Sequence, residues 1–236
     1  MLQIKDLDVF IEGMHIIKNI SLSVEKGEFV SLIGANGAGK STIMKTITGQ
    51  FRASKGEILY KGENINHLRS DEISMKGISI VPEGRLLFRD MSVEENLMMG
   101  AFIHRKNPEQ LKKNLRRIYD IFPVLEQNKH RVSSTFSGGE QQMITVGRGL
   151  MSDPELLLVD ELSLGLAPKV VTQLLKILKD LNQREGLTIL LVEQNAAQAL
   201  KFSERSYVLD NGRVTLTGTN KELMSNPIVQ QAYVGI

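Results

Sequence analysis

Short, almost uninterrupted apolar runs recur along the chain and are separated by longer stretches with helical periodicity. Runs of this kind are typical of strands in a parallel sheet that is covered on both faces, since a sheet with one wet face would alternate. The strands predicted in this way are Glu28–Ile33, Ile78–Val81, Leu156–Val159, Ile189–Val192 and Tyr207–Leu209. Residues 2–24 do alternate, which predicts antiparallel strands near the N-terminus.

Helical patterns fill the intervals between these strands. In Pro168–Arg184 the apolar residues recur on one helical stripe. The charged stretch from about 84 to 153 lacks strand signals and carries helical patterns at Val93–Ile103 and Pro108–Phe122. Asp210–Gly212 is a turn signal between two short strands. The predicted fold is therefore α/β, with a mostly parallel sheet, an N-terminal antiparallel β part and a helical sub-domain inserted at about 84–153.

Composition and charge narrow the class of protein. The 236 residues are 42% hydrophobic and 24% charged, which is ordinary for a globular protein and fits one domain over 1–236. The apolar runs are far shorter than the ~18 residues that span a bilayer, and the N-terminus lacks the pattern of a secretory leader. Without cysteine no disulfide forms, and a net charge of +2 gives no case for nucleic-acid binding. We expect an intracellular enzyme or a soluble subunit of a larger assembly.

The first motif with defined chemistry is a glycine-rich loop after the strand Glu28–Ile33. Residues 34–42 read GANGAGKST and satisfy G-x-x-x-x-G-K-[ST] in the strand–loop–helix context of a phosphate loop of the P-loop NTPase type. Glycines let backbone N–H groups curl around a polyphosphate, and the next helix directs its positive end at it. Lys40 is expected to bridge the β- and γ-phosphates, and Ser41 to bind Mg²⁺. The nucleotide-binding residues predicted here are Gly34, Asn36, Gly37, Ala38, Gly39, Lys40, Ser41 and Thr42.

The second motif stands at the end of the strand at 156–159, where LLLV is followed by Asp160 and Glu161. A carboxylate there lies beside a phosphate loop and can hold Mg²⁺ through water, so Asp160 is a predicted metal ligand together with Ser41. Glu161 is placed to orient and deprotonate the attacking water and is the predicted general base. The two motifs together predict an ATPase that uses ATP and Mg²⁺.

The third motif, FSGGEQQ at 136–142, distinguishes the chain from kinases and GTPases. It resembles the LSGGQ signature of ABC ATPases, and the order of phosphate loop, signature, acidic strand end and switch segment resembles that family over essentially the whole chain. A serine and glycines at a helix N-terminus form a second anion site. The resemblance implies that Ser137, Gly138, Gly139 and Glu140 close over ATP held by a second ABC ATPase subunit, as a homodimer or a heterodimer.

Four shorter segments resemble one subgroup, the ATP-binding subunits of branched-chain amino acid importers. They are VPEGR at 81–85, SLGLAP at 163–168, VEQN at 192–195 and QAYVG at 231–235. Glu83 stands where the wider family has glutamine; it is expected to contact nucleotide and ligate Mg²⁺, or else to transmit closure to the membrane subunit. Gln194 stands at the switch histidine. It can donate a hydrogen bond to the γ-phosphate but carries no titratable proton, so the general-base role falls on Glu161.

Two positions depart from the subgroup pattern. Leu162 stands where a proline is expected directly after the predicted base. Ile11 stands where ABC ATPases have the tyrosine that stacks on adenine, although Phe10 or Ile11 can still supply apolar cover. Because a flat aromatic contact is lost, we expect weaker nucleotide affinity.

The resemblance implies an ATP-hydrolysing subunit that is peripheral at the cytoplasmic face of the inner (plasma) membrane. Transmembrane permease subunits would supply the channel, a solute-binding receptor would select the cargo, and the helical sub-domain with the segment after Glu83 would dock on the permease. Branched-chain amino acids are the expected solute, and nucleic acid is not an expected partner. Three alternatives stay open: an importer for another small solute, a cytosolic ABC ATPase without a transport role, and an inactive regulatory binder.

Overall fold

The chain folds around two β-sheets. The computed structural model describes residues 1–231; residues 232–236 lie outside it, and with them all but the first residue of the QAYVG segment. The strands are β1 (Leu2–Ile11), β2 (Met14–Val24), β3 (Phe29–Ile33), β4 (Lys55–Tyr60), β5 (Glu63–Asn64), β6 (Ile78–Val81), β7 (Leu156–Asp160), β8 (Thr188–Glu193), β9 (Arg205–Asp210) and β10 (Arg213–Thr219). The helices are α1 (Lys40–Ile47), α2 (Ser70–Met75), α3 (Val93–Gly100), α4 (Pro108–Ile121), α5 (Pro123–Gln127), α6 (Gly138–Leu150), α7 (Pro168–Glu185), α8 (Ala196–Phe202), α9 (Asn220–Met224) and α10 (Pro227–Val229), with 3₁₀ turns at Phe102–His104 and Ser133–Thr135.

The larger sheet has six strands in the order β10-β9-β3-β8-β7-β6. Five of them run parallel, and β10 pairs antiparallel with β9 across the predicted hairpin turn. Every residue of β3, β7 and β8 is buried. In β3, Phe29 and Ile33 join the core on one face of the sheet, while Val30 and Leu32 join the core on the other. The predicted α/β fold with a mostly parallel, doubly covered sheet is confirmed.

The second sheet is antiparallel, in the order β2-β1-β4-β5. β1 and β2 pair as the alternation at residues 2–24 predicts. The sequence pattern does not predict β4 or β5, because only Ile58 and Tyr60 of β4 are buried and the rest of the segment has no apolar face. Pairing with β1 makes β4 a strand, since it places Ile58 beside Ile4 and Tyr60 beside Leu2.

Helices α3 to α6 occupy the stretch between β6 and β7. Side chains from these helices, Leu97, Ile118 and Ile144 among them, share one core with Leu157 of β7. Pro108–Phe122 forms a helix as predicted, but the predicted helix Val93–Ile103 is wrong at its end: α3 stops at Gly100, a residue with low helix propensity, and a 3₁₀ turn follows. No helix within residues 1–231 has the length and apolar character needed to cross a bilayer.

The parallel strands bring three segments of the chain to one edge of the sheet. β3 ends at the glycine-rich loop, β7 ends at Asp160, and β8 ends one residue before Gln194. β8 lies between the other two strands, so Ile33 pairs with Glu193 and Asp160 pairs with Val192. The carboxyl ends of parallel strands are where open α/β sheets bind ligands.

Candidate active site

The phosphate loop connects β3 to α1 in a conformation that requires glycine at two positions. Gly39 precedes α1 with a φ of +107°, in the left-handed region, and a Cβ there would lie 2.7 Å from Ile17 Cδ1. At Gly34 a Cβ would lie 2.4 Å from the carbonyl oxygen of Leu209. Neither contact leaves room for a side chain. The chain therefore curls tightly before α1, whose first N–H groups have no partner within the helix and suit an anion.

Lys40, the first residue of α1, is a buried cation with 4% of its surface exposed. Its Nζ donates hydrogen bonds to the carbonyl oxygens of Gly34 and Ala35, each at 3.0 Å. The same atom forms an ion pair with Glu161 Oε1 at 3.0 Å. A buried ammonium needs such partners because an unpaired desolvated charge is strongly unfavourable. The residue predicted to be the general base thus contacts the residue predicted to bind phosphate.

Ser41 and Asp160 meet across the same edge of the sheet, where Ser41 Oγ donates a hydrogen bond to Asp160 Oδ1 at 3.2 Å. Asp160 is 5% exposed, and its burial, together with the negative charges of Glu161 and Glu83, raises the pKa of its carboxyl to about 6. The Ser41 hydroxyl and the Asp160 carboxylate both supply oxygen atoms, which are the ligands that Mg²⁺ prefers. The two predicted metal ligands are therefore adjacent.

Glu161 has a backbone conformation that is uncommon for its residue type. Its φ is +44°, which places a non-glycine residue in the left-handed region at a cost of roughly 1–3 kcal/mol. Its N–H donates a hydrogen bond to the Val192 carbonyl at 3.0 Å, so the residue is attached to β8. The side chain of Glu161 forms its ion pair with Lys40 from this turn. Strain of this kind persists only where the surrounding structure holds it.

Glu193 and Ser163 form a contact that no sequence motif predicts. Glu193, the last residue of β8, is completely buried, and burial raises the pKa of its carboxyl. It accepts two hydrogen bonds from Ser163, one from the backbone N–H at 3.0 Å and one from Oγ at 2.7 Å. The available signal was a buried apolar strand that ends in an acid, the same pattern that identified Asp160 at the end of β7.

Glu83 and Gln194 lie at the border of the site, and both are exposed. Glu83 follows β6, and its charge contributes to the raised pKa of Asp160, so its electrostatic influence reaches the predicted metal ligands. Gln194 directly follows β8 and precedes Asn195, whose side chain caps α8. The nucleotide and metal contacts of Glu83, and the phosphate contact of Gln194, stay predictions.

The two departures from the subgroup pattern have different surroundings. Leu162 is completely buried in the core beside the larger sheet, so its side chain packs against the interior. Ile11 is partly buried and packs on the core under the smaller sheet. Phe10, its neighbour, is 47% exposed and stacks on the His15 ring at 4.2 Å between centroids. An exposed aromatic ring therefore lies next to Ile11, but it is already paired with a ring of its own chain.

The signature segment caps its own helix. Ser137 precedes α6 and is exposed, and its Oγ and backbone N–H both donate hydrogen bonds to Glu140 Oε2, at 2.7 and 2.9 Å. These bonds lower the pKa of the Glu140 carboxyl. Gly138 and Gly139 form the first turn of α6. Glu140, predicted as a nucleotide contact, is thus turned back on Ser137 in a capping box.

The structure brings only part of the predicted site together. Among residues 1–231, no hydrogen bond or ion pair connects the segment Ser137–Glu140 with the phosphate loop, Asp160 or Glu161. Arg85, the last residue of the VPEGR segment, connects the signature with the loop after Glu161: its guanidinium donates a hydrogen bond to the Gly165 carbonyl at 3.4 Å and lies against Gly138. The N-terminus of α6 is therefore separate from the pocket formed by the chain's own phosphate loop.

The glycine-rich loop with Lys40, and the pair formed by Ser41 and Asp160, define the class of protein, which is a P-loop nucleoside triphosphate-binding protein. The N-terminus of α6 lies outside the pocket that this loop forms. The family model described as ABC transporter matches residues 17–163, and the chain belongs to that family. Among its relatives, the high-affinity branched-chain amino acid transport ATP-binding protein BraG of Pseudomonas aeruginosa is 46% identical over 235 residues, covering all of both chains. The probable branched-chain amino acid transport ATP-binding protein LivF of Archaeoglobus fulgidus is 33% identical over 240 residues, covering 100% of this chain and 99% of the relative.

A solved structure supports the same assignment. The dimeric post-hydrolysis state of the ATP-binding cassette MJ0796, bound to ADP and Pi, superposes with a TM-score of 0.83 at 26% identity, covering 93% of this chain and 99% of the other. The chain is therefore an ATP-binding cassette and an ABC-type ATPase, and the predicted fold and enzyme class are confirmed.

Proposed function

We propose that this chain hydrolyses ATP to energise a membrane importer for branched-chain amino acids. The observation that carries the proposal is an intact hydrolytic constellation in a chain that matches a branched-chain amino acid transport ATP-binding protein over its full length. Lys40, Ser41, Asp160 and Glu161 are all present and form two contacting pairs, Lys40 with Glu161 and Ser41 with Asp160. An inactive regulatory binder would have no need of a strained acid beside the phosphate-binding lysine.

In the proposed mechanism, one set of residues binds the phosphates and Glu161 accepts the proton. The N–H groups at the start of α1 and the Lys40 ammonium hold the β- and γ-phosphates. A phosphate at Lys40 takes over the hydrogen bonds of that ammonium, which leaves the Glu161 carboxylate free to accept the proton of the attacking water. Gln194 donates a hydrogen bond toward the γ-phosphate and takes no proton.

Ser41 and Asp160 are the residues that would hold Mg²⁺, with Glu83 nearby. The fit rests on the oxygen donors of Ser41 and Asp160, which lie 3.2 Å apart, and on the raised pKa of the Asp160 carboxyl, whose burial and acidic neighbours disfavour its charged form in the absence of a cation. When bound, the metal ion would neutralise charge on the β- and γ-phosphates.

The exposed signature segment supports a second cassette as a partner. Ser137, Gly138 and Gly139 lie at a helix N-terminus that, among residues 1–231, has no hydrogen bond to the chain's own phosphate loop. In a dimer, this tip would cover the ATP of the other subunit, so that closure completes both sites. The dimeric MJ0796 structure shows that a cassette of this fold forms dimers. The subunit in the second position would be identical or related.

A groove of about 630 Å³ supports docking on permease subunits. It lies between α2, β6, the segment after Glu83 and the end of α3, and its exposed apolar side chains are Met75, Leu86, Phe88, Met99 and Phe102. Contiguous exposed apolar surface of this kind marks an interaction site. A short helix of a permease would cover these side chains and hold the chain at the cytoplasmic face of the membrane.

An uptake assay in cells that lack this gene tests the proposal. Complementation with the wild-type chain should restore uptake of labelled leucine, isoleucine and valine. Glu161→Gln should abolish uptake while ATP binding persists. Phe102→Glu should abolish uptake with ATPase sites intact, because a buried charge in the groove is unfavourable; Ile228→Glu, an equally exposed apolar position outside the groove, is the matched control.

The same assay separates the alternatives. Restored uptake of urea, amides or other amino acids, with no effect on the branched-chain ones, would replace the solute and keep the importer. No uptake defect for any small solute would favour a role away from transport. Full uptake with Glu161→Gln would contradict the assignment of the general base.

A further inference from the structure

The end of β8 holds the loop after the general base through one buried carboxylate. Glu193 has no exposed surface, and Ser163 supplies both of the hydrogen bonds that it accepts. Ser163 stands two residues after Glu161. The charges that act on the Glu193 carboxyl from its surroundings are those of Glu161, which repels it, and Lys40, which attracts it.

The segment between Asp160 and Ser163 is fixed on both sides of the base. The Glu161 N–H donates to the Val192 carbonyl at 3.0 Å, and Ser163 is held by Glu193, the next residue of the same strand. Leu162, between them, is completely buried. Because Glu161 has a φ of +44°, its backbone would relax to a more favourable region if either attachment were released.

A carboxylate is an unfavourable choice for a purely structural role at this position. β8 is buried along its whole length and carries Ile189, Leu190, Leu191 and Val192, so an apolar side chain would extend it without the desolvation of a charge. What the carboxylate provides is two acceptors for one serine, which an apolar or a singly accepting side chain cannot offer.

We propose that Glu193 is a positioning residue for ATP hydrolysis: by holding the backbone and hydroxyl of Ser163, it fixes the Glu161 carboxylate where it activates water. This inference rests on the proposed role of Glu161 as the general base. Glu193 acts through the backbone and does not touch the nucleotide. It therefore affects the rate of hydrolysis and leaves the affinity for ATP unchanged.

The test compares ATP affinity, kcat and melting temperature among variants of the purified full chain. Affinity is measured by titration with ATP, and kcat is measured at saturating Mg²⁺ and ATP. Ser163→Ala should lower kcat by roughly tenfold or more, since small misplacements of catalytic groups reduce rates strongly, with ATP affinity changed less than twofold. Ser163→Thr keeps the hydroxyl and should restore the rate to within about threefold of the wild type. Glu193→Gln should lower kcat as Ser163→Ala does, and the double variant should be no slower than the slower single variant.

Ser206→Ala is the matched control for the loss of a buried serine hydroxyl. Ser206 is completely buried and bonds to Ser31 and Asn220, away from the base, so the variant should melt earlier with an unchanged kcat. If Ser163→Ala lowers melting temperature, affinity and kcat together, or if Ser163→Thr fails to restore kcat, the role is structural and the inference is wrong.

Glu161→Gln, measured in parallel, separates this inference from the proposed function. Inactive Glu161→Gln with wild-type kcat in Ser163→Ala and Glu193→Gln would overturn the positioning role alone. Wild-type kcat in Glu161→Gln would overturn the general base and the positioning role with it. Should Glu193→Gln fail to fold, the Ser163→Ala and Ser163→Thr pair decides the outcome.

Discussion

The phosphate loop and the signature segment each precede a helix N-terminus, and they differ in how far along the chain their bonding partners lie. Lys40 is buried and bonded to residues of its own loop and to Glu161 across the sheet. Ser41 reaches Asp160, which stands 119 positions later in the sequence. Ser137, by contrast, is exposed, and its hydroxyl bonds to Glu140 only three residues away.

This difference indicates what each half of the site needs. The phosphate-loop half is assembled by long-range contacts, so the fold of one chain is enough to position it. The signature half is stabilised locally, as any capped helix is, and nothing among residues 1–231 completes it as an anion site. The comparison therefore predicts that changes in the first half impair nucleotide binding, whereas changes in the second half impair turnover alone.

Lys40→Ala is the strongest challenge to the phosphate-loop half. It removes the ammonium and its charge-assisted hydrogen bonds, and we expect ATP affinity to fall by roughly 100-fold. Isothermal titration with ATP measures the change. Lys45→Ala, which removes an exposed lysine from the same helix, should leave affinity unchanged. An affinity within threefold of the wild type for Lys40→Ala would contradict the phosphate-binding role.

Ser137→Arg tests the other half. A bulky charged side chain at this helix tip should obstruct closure over the second subunit's ATP and lower kcat by about 30-fold, equivalent to ~2 kcal/mol of transition-state stabilisation. ATP affinity should stay within twofold. Ser225→Arg, at an exposed serine near the C-terminus, is the control. A parallel loss of affinity in Ser137→Arg would remove the distinction between the two halves.

Ile11→Tyr sharpens the comparison at the adenine end of the pocket. A stacked aromatic ring is worth roughly 0.5–1.5 kcal/mol, so the variant should bind ATP about 2–10-fold more tightly than the wild type. Affinity for inorganic triphosphate, which has no adenine, should not change. Equal ATP affinities in Ile11→Tyr and the wild type would show that Phe10, Ile11 or another side chain already supplies the contact.

Asp160→Asn gives the smallest expected effect. It tests how unfavourable the buried charge of Asp160 is in the phosphate-loop half when no ligand is bound. The pKa of this carboxyl rises from an ordinary 3.8 to about 6 in the folded protein. The folded state therefore binds the proton more tightly than the unfolded state, and this group destabilises the fold progressively as the pH rises from about 4 to about 6, with the full penalty above that range.

Asparagine removes the charge and still accepts the hydrogen bond from Ser41. Without Mg²⁺ and ATP, the Asp160→Asn variant should melt a few degrees higher than the wild type at alkaline pH, and the difference should disappear near pH ~4. Scanning fluorimetry over this pH range measures it. Asp210→Asn, an exposed acid at the end of β9, is the control. A pH-independent difference would contradict the raised pKa of the Asp160 carboxyl.

Much of the fold was predictable because its signals are local. The buried strands, the hairpin at Asp210–Gly212 and helices α4 and α7 follow from periodicity and turn residues within short windows. The phosphate loop and the acid pair follow from motifs that combine residue type with the end of a strand. β4 was missed because its apolar side chains acquire a buried face only by pairing with β1.

The sequence by itself determined the class of fold, the position of the phosphate loop and the placement of Asp160 and Glu161 at the end of a buried strand. Each of these depends on residues that are neighbours along the chain. Only the tertiary structure decided that Lys40 pairs with Glu161, that Leu162 packs in the core, and that Glu193 holds Ser163. These contacts depend on which strands lie side by side and in what register: β8 enters between β3 and β7 and places Val192 next to Asp160. Register is set by the packing of whole strands, and no short window of sequence contains it.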